Sequence, residues 1–275
     1  MNKKKQLFWL FCFAIYFSFA EQTSYAQCFI ENTTFLPGEK VTYKVTYNLG
    51  FIWINAGEVI FNVDTAIYGN RKVYHLKSFG RSYNNYDWIY KVREQYETYL
   101  DIQRLKPLKC ERNSFEGDYW TKEKYFADYN ARRLYSFVEN SKHSLIQDTL
   151  PLKQCTYDPL SAVYYVRNLD FSKYKINDKI PIRMVVDNII YDLYIRYLGT
   201  EILTTHENKK YNCFKVSPQL IKGTVFDEGE NMTVWVTNDK NRVPVMVEAE
   251  ILVGSVKAVL SKYEGLRYPF AAEIK

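Results

Sequence analysis

The stretch from Val41 to Val63 places the tightest limit on the fold. From Val41 to Leu49 apolar and polar residues alternate: Val41, Tyr43, Val45, Tyr47 and Leu49 share one face of an extended chain, Thr42, Lys44, Thr46 and Asn48 the other. After Gly50 the rule breaks. Phe51, Ile52, Trp53 and Ile54 are apolar on both faces, and then Val59, Phe61 and Val63 resume the odd-numbered face. A strand with one buried face thus carries a local patch whose second face needs a cover: core, partner or ligand.

The same alternation recurs at 41–49, 57–65, 72–80, 93–100, 120–126, 133–138, 180–186, 189–197, 211–217, 232–237, 243–248 and 254–260. Tyr68-Gly69-Asn70, Glu116-Gly117, Asn130-Ala131, Asp187-Asn188 and Asp239-Lys240-Asn241 supply tight turns between them. Aromatic residues make up 17% of the chain, with 25 tyrosines, a composition that favours strands. Short spacing and tight turns predict antiparallel meanders. No Gly-, Ser- or Pro-rich linker divides the chain, so residues 27–275 read as a single β-rich domain.

Residues 1–26 read as a signal peptide. Lys3, Lys4 and Lys5 precede the short apolar run "LFWLFCFAIYFSFA", and "SYA" at 24–26 places small residues before a cut after Ala26. No later run is long enough to span a membrane as a helix. Removing the signal takes the net charge from +6 to about +4, since three lysines and Glu21 leave with it. That charge is interleaved and gives no basic tract for nucleic acid. Export permits disulfides, and Cys28, Cys110, Cys155 and Cys213 remain. Cys213 sits in the alternating "YNCFKV" and reads as a buried hydrophobe. Cys28 and Cys155 lie in irregular contexts, and a Cys28–Cys155 bridge is expected.

One segment has a different period. In "DPLSAVYYVRNLD" (158–170), Asp158 suits an N-cap and Pro159 the first helical position. Ala162, Tyr165, Val166 and Leu169 then fall on one stripe, and Leu160 and Val163 extend it nearly all round, so the helix should be buried. The expected architecture is mainly β: a strongly curved antiparallel sheet, half-open barrel or sandwich-like, packed around one central helix at about 158–169. Arg167 is a charge in that buried helix. It calls for an internal partner, or acts as a clamp on an anionic headgroup.

Little else suggests chemistry. No G-x-S-x-G, H-E-x-x-H, C-x-x-C or calcium-loop pattern occurs, and no motif points to a cofactor or a metal. His75, His143 and His206 are far apart. Glu94 and Glu97 alternate to opposite faces, as do Asp187 and Asp192; Glu58, Asp118 and Glu123 have no evident partner. If a cavity lies between sheet and helix, Phe51, Trp53, Tyr164, Arg167 and Trp235 are its candidate wall residues, since aromatics suit lipid and sugar ligands alike.

Three collinear stretches carry a family resemblance. "YDPLSAVYYVRNL" (157–169) resembles the signature helix of an uncharacterised bacterial envelope family, DUF 3108. "LGFIWINAGEVIFNV" (49–63) resembles its first hairpin, and "MTVWVTNDKNRVPVMVEAEILVGSVKAVL" (232–260) its closing strands. "IKGTVFDEGENMTVW" (221–235) is similar to the Bacteroidota branch. The resemblance implies an address in the periplasm or outer-membrane-associated envelope of a Gram-negative bacterium, and no reaction. "DTA" (64–66) and "DTL" (148–150) are similar to O-glycosylation sites of Bacteroidota periplasmic proteins, marking Thr65 and Thr149. The expected function is that of an exported, non-enzymatic envelope protein binding an apolar or amphiphilic ligand, or a protein partner, through a concave sheet. The alternative is a glycan-binding or glycan-processing accessory protein.

Overall fold

A computed structural model describes residues 28, 30–49, 52–88, 90–222, 228–251 and 254–274. The signal segment and Phe51 lie outside them. One curled sheet organises the chain. Its first half is a meander of β1 (Lys40–Leu49), β2 (Ile52–Tyr68), β3 (Arg71–Ser82), β4 (Val92–Asp101), β5 (Pro107–Glu116), β6 (Tyr119–Asp128), β7 (Arg133–Asn140) and β8 (His143–Pro151). The short β9 (Thr156–Tyr157) leads into the helix α1 (Pro159–Arg167). The second half comprises β10 (Lys179–Val186), β11 (Ile189–Thr204), β12 (Lys210–Pro218), β13 (Met232–Thr237), β14 (Pro244–Glu250), β15 (Ser255–Glu264) and β16 (Glu273–Ile274).

The two halves join where β1 pairs antiparallel with β15. The order is then β8-β7-β6-β5-β4-β3-β2-β1-β15-β14-β13-β12-β11-β10-β9, with β16 added to β12. Neighbours are antiparallel except β9, which runs parallel to β10. Among the described residues no ladder joins the β8 and β9 edges, so the sheet curls without closing. The β10–β11 turn bridges the seam: the Asp187 N–H donates to Glu123 Oε2 at 3.0 Å, and the Asn188 N–H to the Tyr125 hydroxyl at 3.0 Å.

The helix fills the inside of the curl. Asp158 caps it, accepting from the backbone N–H of Leu160 at 3.0 Å and of Ser161 at 3.2 Å. The same buried carboxylate accepts from Thr98 Oγ1 on β4 at 2.7 Å and from Cys110 Sγ on β5 at 3.2 Å, so the cap also fixes the helix to the sheet. Two sides of the helix then feed two cores. Tyr165 and Leu169 pack with Phe171, Ile180, Ile195 and Val216, while Leu160 and Tyr164 pack with Phe35, Val63, Leu76 and Leu100. This is why its apolar surface extends beyond a single stripe.

A bulge explains the two-sided patch. Val45 lies opposite Gly57 but Thr46 lies opposite Asn55, so Ala56 is an extra residue in β2. Directly paired residues share a face, and the slip moves the inward set of β2 from odd to even numbers. Ile54 therefore joins Tyr47, and Trp53 joins Asn48 on the outside. The expectation of Trp53 as a wall between sheet and helix is corrected: its side chain is 50% exposed, and the Lys257 ammonium lies 4.7 Å from the ring centroid. Gly57 follows from the same crowding, because a Cβ there would stand 2.1 Å from the Arg81 carbonyl oxygen.

Candidate functional site

The expected wall residues do not form one wall. Trp53 is on the outer surface. Tyr164 is buried in the helix core against Phe35, with ring centroids 4.8 Å apart. Trp235 belongs to a separate core with Leu203, Tyr211 and Cys213, and its indole N–H donates to Glu201 at 3.3 Å. Arg167 is buried and occupied: its amino groups donate to both oxygens of buried Glu39, and Nη2 also reaches the Asn241 carbonyl at 3.1 Å. The headgroup role is thus replaced by an internal ion pair. Cys28 and Cys155 are bonded to each other, with Cα atoms 4.8 Å apart. Cys110 and Cys213 are free thiols, and burial pushes Cys213 up to about 12. Thr65 on β2 and Thr149 on β8 are both exposed.

A concavity lies elsewhere, on the outer face of β2 to β6. It holds about 500 Å³. Register builds it: Glu58, Arg81, Arg93, Phe115 and Trp120 are cross-strand neighbours in one row, and Ile60, Phe79, Gln95, Asn113 and Lys122 in the next. The two rows are the walls of a trough whose floor is the backbone at Gly80, Glu94, Ser114 and Thr121. Five strands at ordinary spacing make it about 19 Å long. Ile60, Phe79, Phe115 and Trp120 give it apolar surface. Arg81 is paired with Glu58 at 2.6 Å and Arg93 with Asp87 at 2.5 Å. Lys122 stands 5.4 Å from the Trp120 ring centroid and has no carboxylate within salt-bridge reach among the described residues.

Behind this floor, on the inner face, sits a polar cluster. Arg112 on β5 donates to Glu123 on β6 at 2.9 Å and stands 3.7 Å from Glu94, 3.8 Å from Glu116 and 3.9 Å from Asp187. Glu123, almost fully buried, also accepts from the Tyr125 hydroxyl at 2.5 Å. Burial raises Glu94 to about 7, against the opposing pull of Arg112, and Glu116 pushes in the same direction as burial. Burial, then the charge of Glu123, also raises Asp187. In the sequence Glu123 has no evident partner, and Glu94 only faces away from Glu97. Their shared partner emerges only when β4, β5 and β6 are set in register, which brings Arg112 opposite Glu123. Among the described residues no group of His, Cys, Asp or Glu is arranged to hold a metal ion.

The fold has a counterpart among solved structures. A beta-barrel-like protein of the domain of unknown function DUF1849 from Brucella abortus superposes with a TM-score of 0.54 over 84% of this chain and 98% of that one, at 8% identity. At that identity the likeness extends to the fold alone. No curated protein matches the chain. No helix among the described residues is long and apolar enough to cross a membrane. Residues 42–261, from the first strand of the sheet to the last long one, match the family described as protein of unknown function (DUF3108), and the chain belongs to that family.

Proposed function

We propose that this chain is an exported, non-enzymatic binding protein of the bacterial cell envelope whose outer trough takes an amphiphilic ligand. The observation that carries the reading is the trough itself. Its volume of about 500 Å³ is that of a small-molecule site, and it joins apolar side chains to a few polar ones. Phe79, Phe115 and Trp120 suit a hydrocarbon body. Lys122 is the lining cation with no carboxylate partner among the described residues, and it suits an acidic headgroup at the β6 end. The Cys28–Cys155 bond supports an oxidising compartment, as does the signal-like N-terminus.

The amides of Gln95 and Asn113 in the same walls favour the alternative, a glycan. Native mass spectrometry of protein purified from its own envelope separates the two. A lipid-sized adduct that is lost in Phe79→Asp is the expected result. An oligosaccharide adduct would replace the amphiphile reading. An adduct retained in Phe79→Asp, or its absence from the wild-type protein, would remove the trough as the site.

A further inference from the structure

At the seam of the curled sheet, beside the apolar packing of Val185 and Ile190 against Tyr125, Leu134 and Val138, lies a charge cluster with too few cations. Four carboxyl groups, Glu94, Glu116, Glu123 and Asp187, face the single guanidinium of Arg112. If all four were ionised, the group would carry a net charge of −3, from four negatives and one positive. Three of them are held on strands. Asp187 alone sits on the two-residue β10–β11 turn, where the side chain is 54% exposed and both Asp187 and Asn188 have positive φ, 50° and 61°. That turn also crosses the seam from β10–β11 to β6, through its two backbone N–H bonds to Glu123 and Tyr125.

We propose that the Arg112 cluster is a proton-operated latch: with a proton held on Glu94 the β10–β11 turn stays docked on β6, and loss of that proton releases the turn. The geometry gives the sequence of events. Glu94 accepts from Ser114 and lies nearest the Arg112 Nε. A full charge there competes with Glu123 and Asp187 for the one guanidinium. In a site this poorly hydrated, like charges are costly. Asp187 has the longest tie to Arg112 and the most solvent, so it is the member that leaves. The tyrosines that face the cluster are neutral near pH 7. Tyr96 lies under the guanidinium, 5.6 Å from ring centroid to Arg112 Cζ. Tyr90 from the β3–β4 connection, and Tyr119 and Tyr125 from β6, all have phenols raised by burial. On the β8 side, Asp148 accepts from the Asn188 side chain at 3.2 Å, a further tie on the turn. Burial holds Glu94 at about 7, which sets the working range.

Amide hydrogen exchange of the disulfide-bonded protein tests the latch, read as protection factors so that the intrinsic pH dependence is removed. The amides of Asp187 and Asn188 should lose protection by at least about tenfold between about pH 5.5 and about 8.5, while those of Leu76 and Leu100 stay unchanged. Glu94→Gln keeps a neutral hydrogen-bonding group and should hold the turn docked across the range; Glu116→Gln should do the same and serves if the first variant folds poorly. Constant protection at Asp187 and Asn188 in the wild-type protein overturns the proposal. So does a loss that persists unaltered in Glu94→Gln.

Discussion

Arg167 and Glu39 form an ion pair with almost no access to water, and each depends on the other. Removing one partner leaves the second charge buried alone, which costs about 3–5 kcal/mol, whereas replacing both by apolar side chains is far milder. Urea denaturation should therefore show a large loss for Arg167→Met and recovery of most of it in the double variant Glu39→Leu/Arg167→Met. A single variant within about 1 kcal/mol of wild type would mean that water reaches the pair. Glu94 makes the opposite kind of statement. Its folded-state value lies above its ordinary 4.5, at about 7. The folded chain then holds an extra proton between those limits, so this group's contribution is fully present below about 4.5 and is lost as pH rises through about 7. The loss is at most on the order of 3 kcal/mol. Stability measured from about pH 5 to about 8 should fall through this window and flatten in Glu94→Gln. A slope unchanged in that variant would assign the titration to another group.

At the scale of elements, legibility followed local pattern. The helix was readable because Asp158-Pro159 starts it and an apolar surface continues to Leu169; the structure gives Pro159–Arg167 with Asp158 as cap. β5 and β8 were not readable, for different reasons. β5, "PLKCERNSFE", turns Cys110, Arg112, Ser114 and Glu116 inward, so its buried face is polar and no alternation shows. β8 is an edge strand exposed along nearly its whole length, so burial never selected a face. The outer trough was hidden for a third reason: its walls are assembled from five strands, and only register puts Phe79 beside Gln95 and Phe115 beside Trp120. The bulge at Ala56 is the local case of the same limit, since one inserted residue exchanges the faces of everything before it. It yields a clear expectation. Trp53→Ala should cost no more than about 1 kcal/mol, the worth of an exposed cation–π contact, instead of the several expected for a core tryptophan. Thermal unfolding showing a core-sized loss would return Trp53 to the inside.

For the molecule as a whole the question is how an unclosed sheet keeps its shape. The helix occupies the interior, the C-terminal segment returns to pair β16 with β12, and the N-terminal segment ties the two halves. That segment runs from Cys28, bonded to Cys155 just before β9, to Glu39, and it touches both cores on the way. The Thr33 N–H donates to Asn168 Oδ1 at 2.7 Å, the Asn32 amide to the Tyr74 hydroxyl at 2.9 Å, and Phe35 is fully buried among Tyr74, Leu76 and Tyr164. The Gly38 N–H then bonds the Val63 carbonyl on β2 at 2.7 Å. The disulfide thus anchors the outer end of a strap that crosses from the β9 edge to the centre of the sheet. It links cysteines 127 positions apart in the sequence. On chain-entropy grounds a link that long stabilises by about 4–5 kcal/mol, less whatever structure the reduced chain retains. Reduction, or Cys28→Ser with Cys155→Ser, should therefore lower the melting temperature clearly. Exchange protection should fall first at Thr33 and Phe35 and at the C-terminal end of α1, before the β2–β3 pair is affected. An unchanged melting temperature would mean that the buried Phe35 and the bonds to Asn168 and Tyr74 hold the strap without the covalent link.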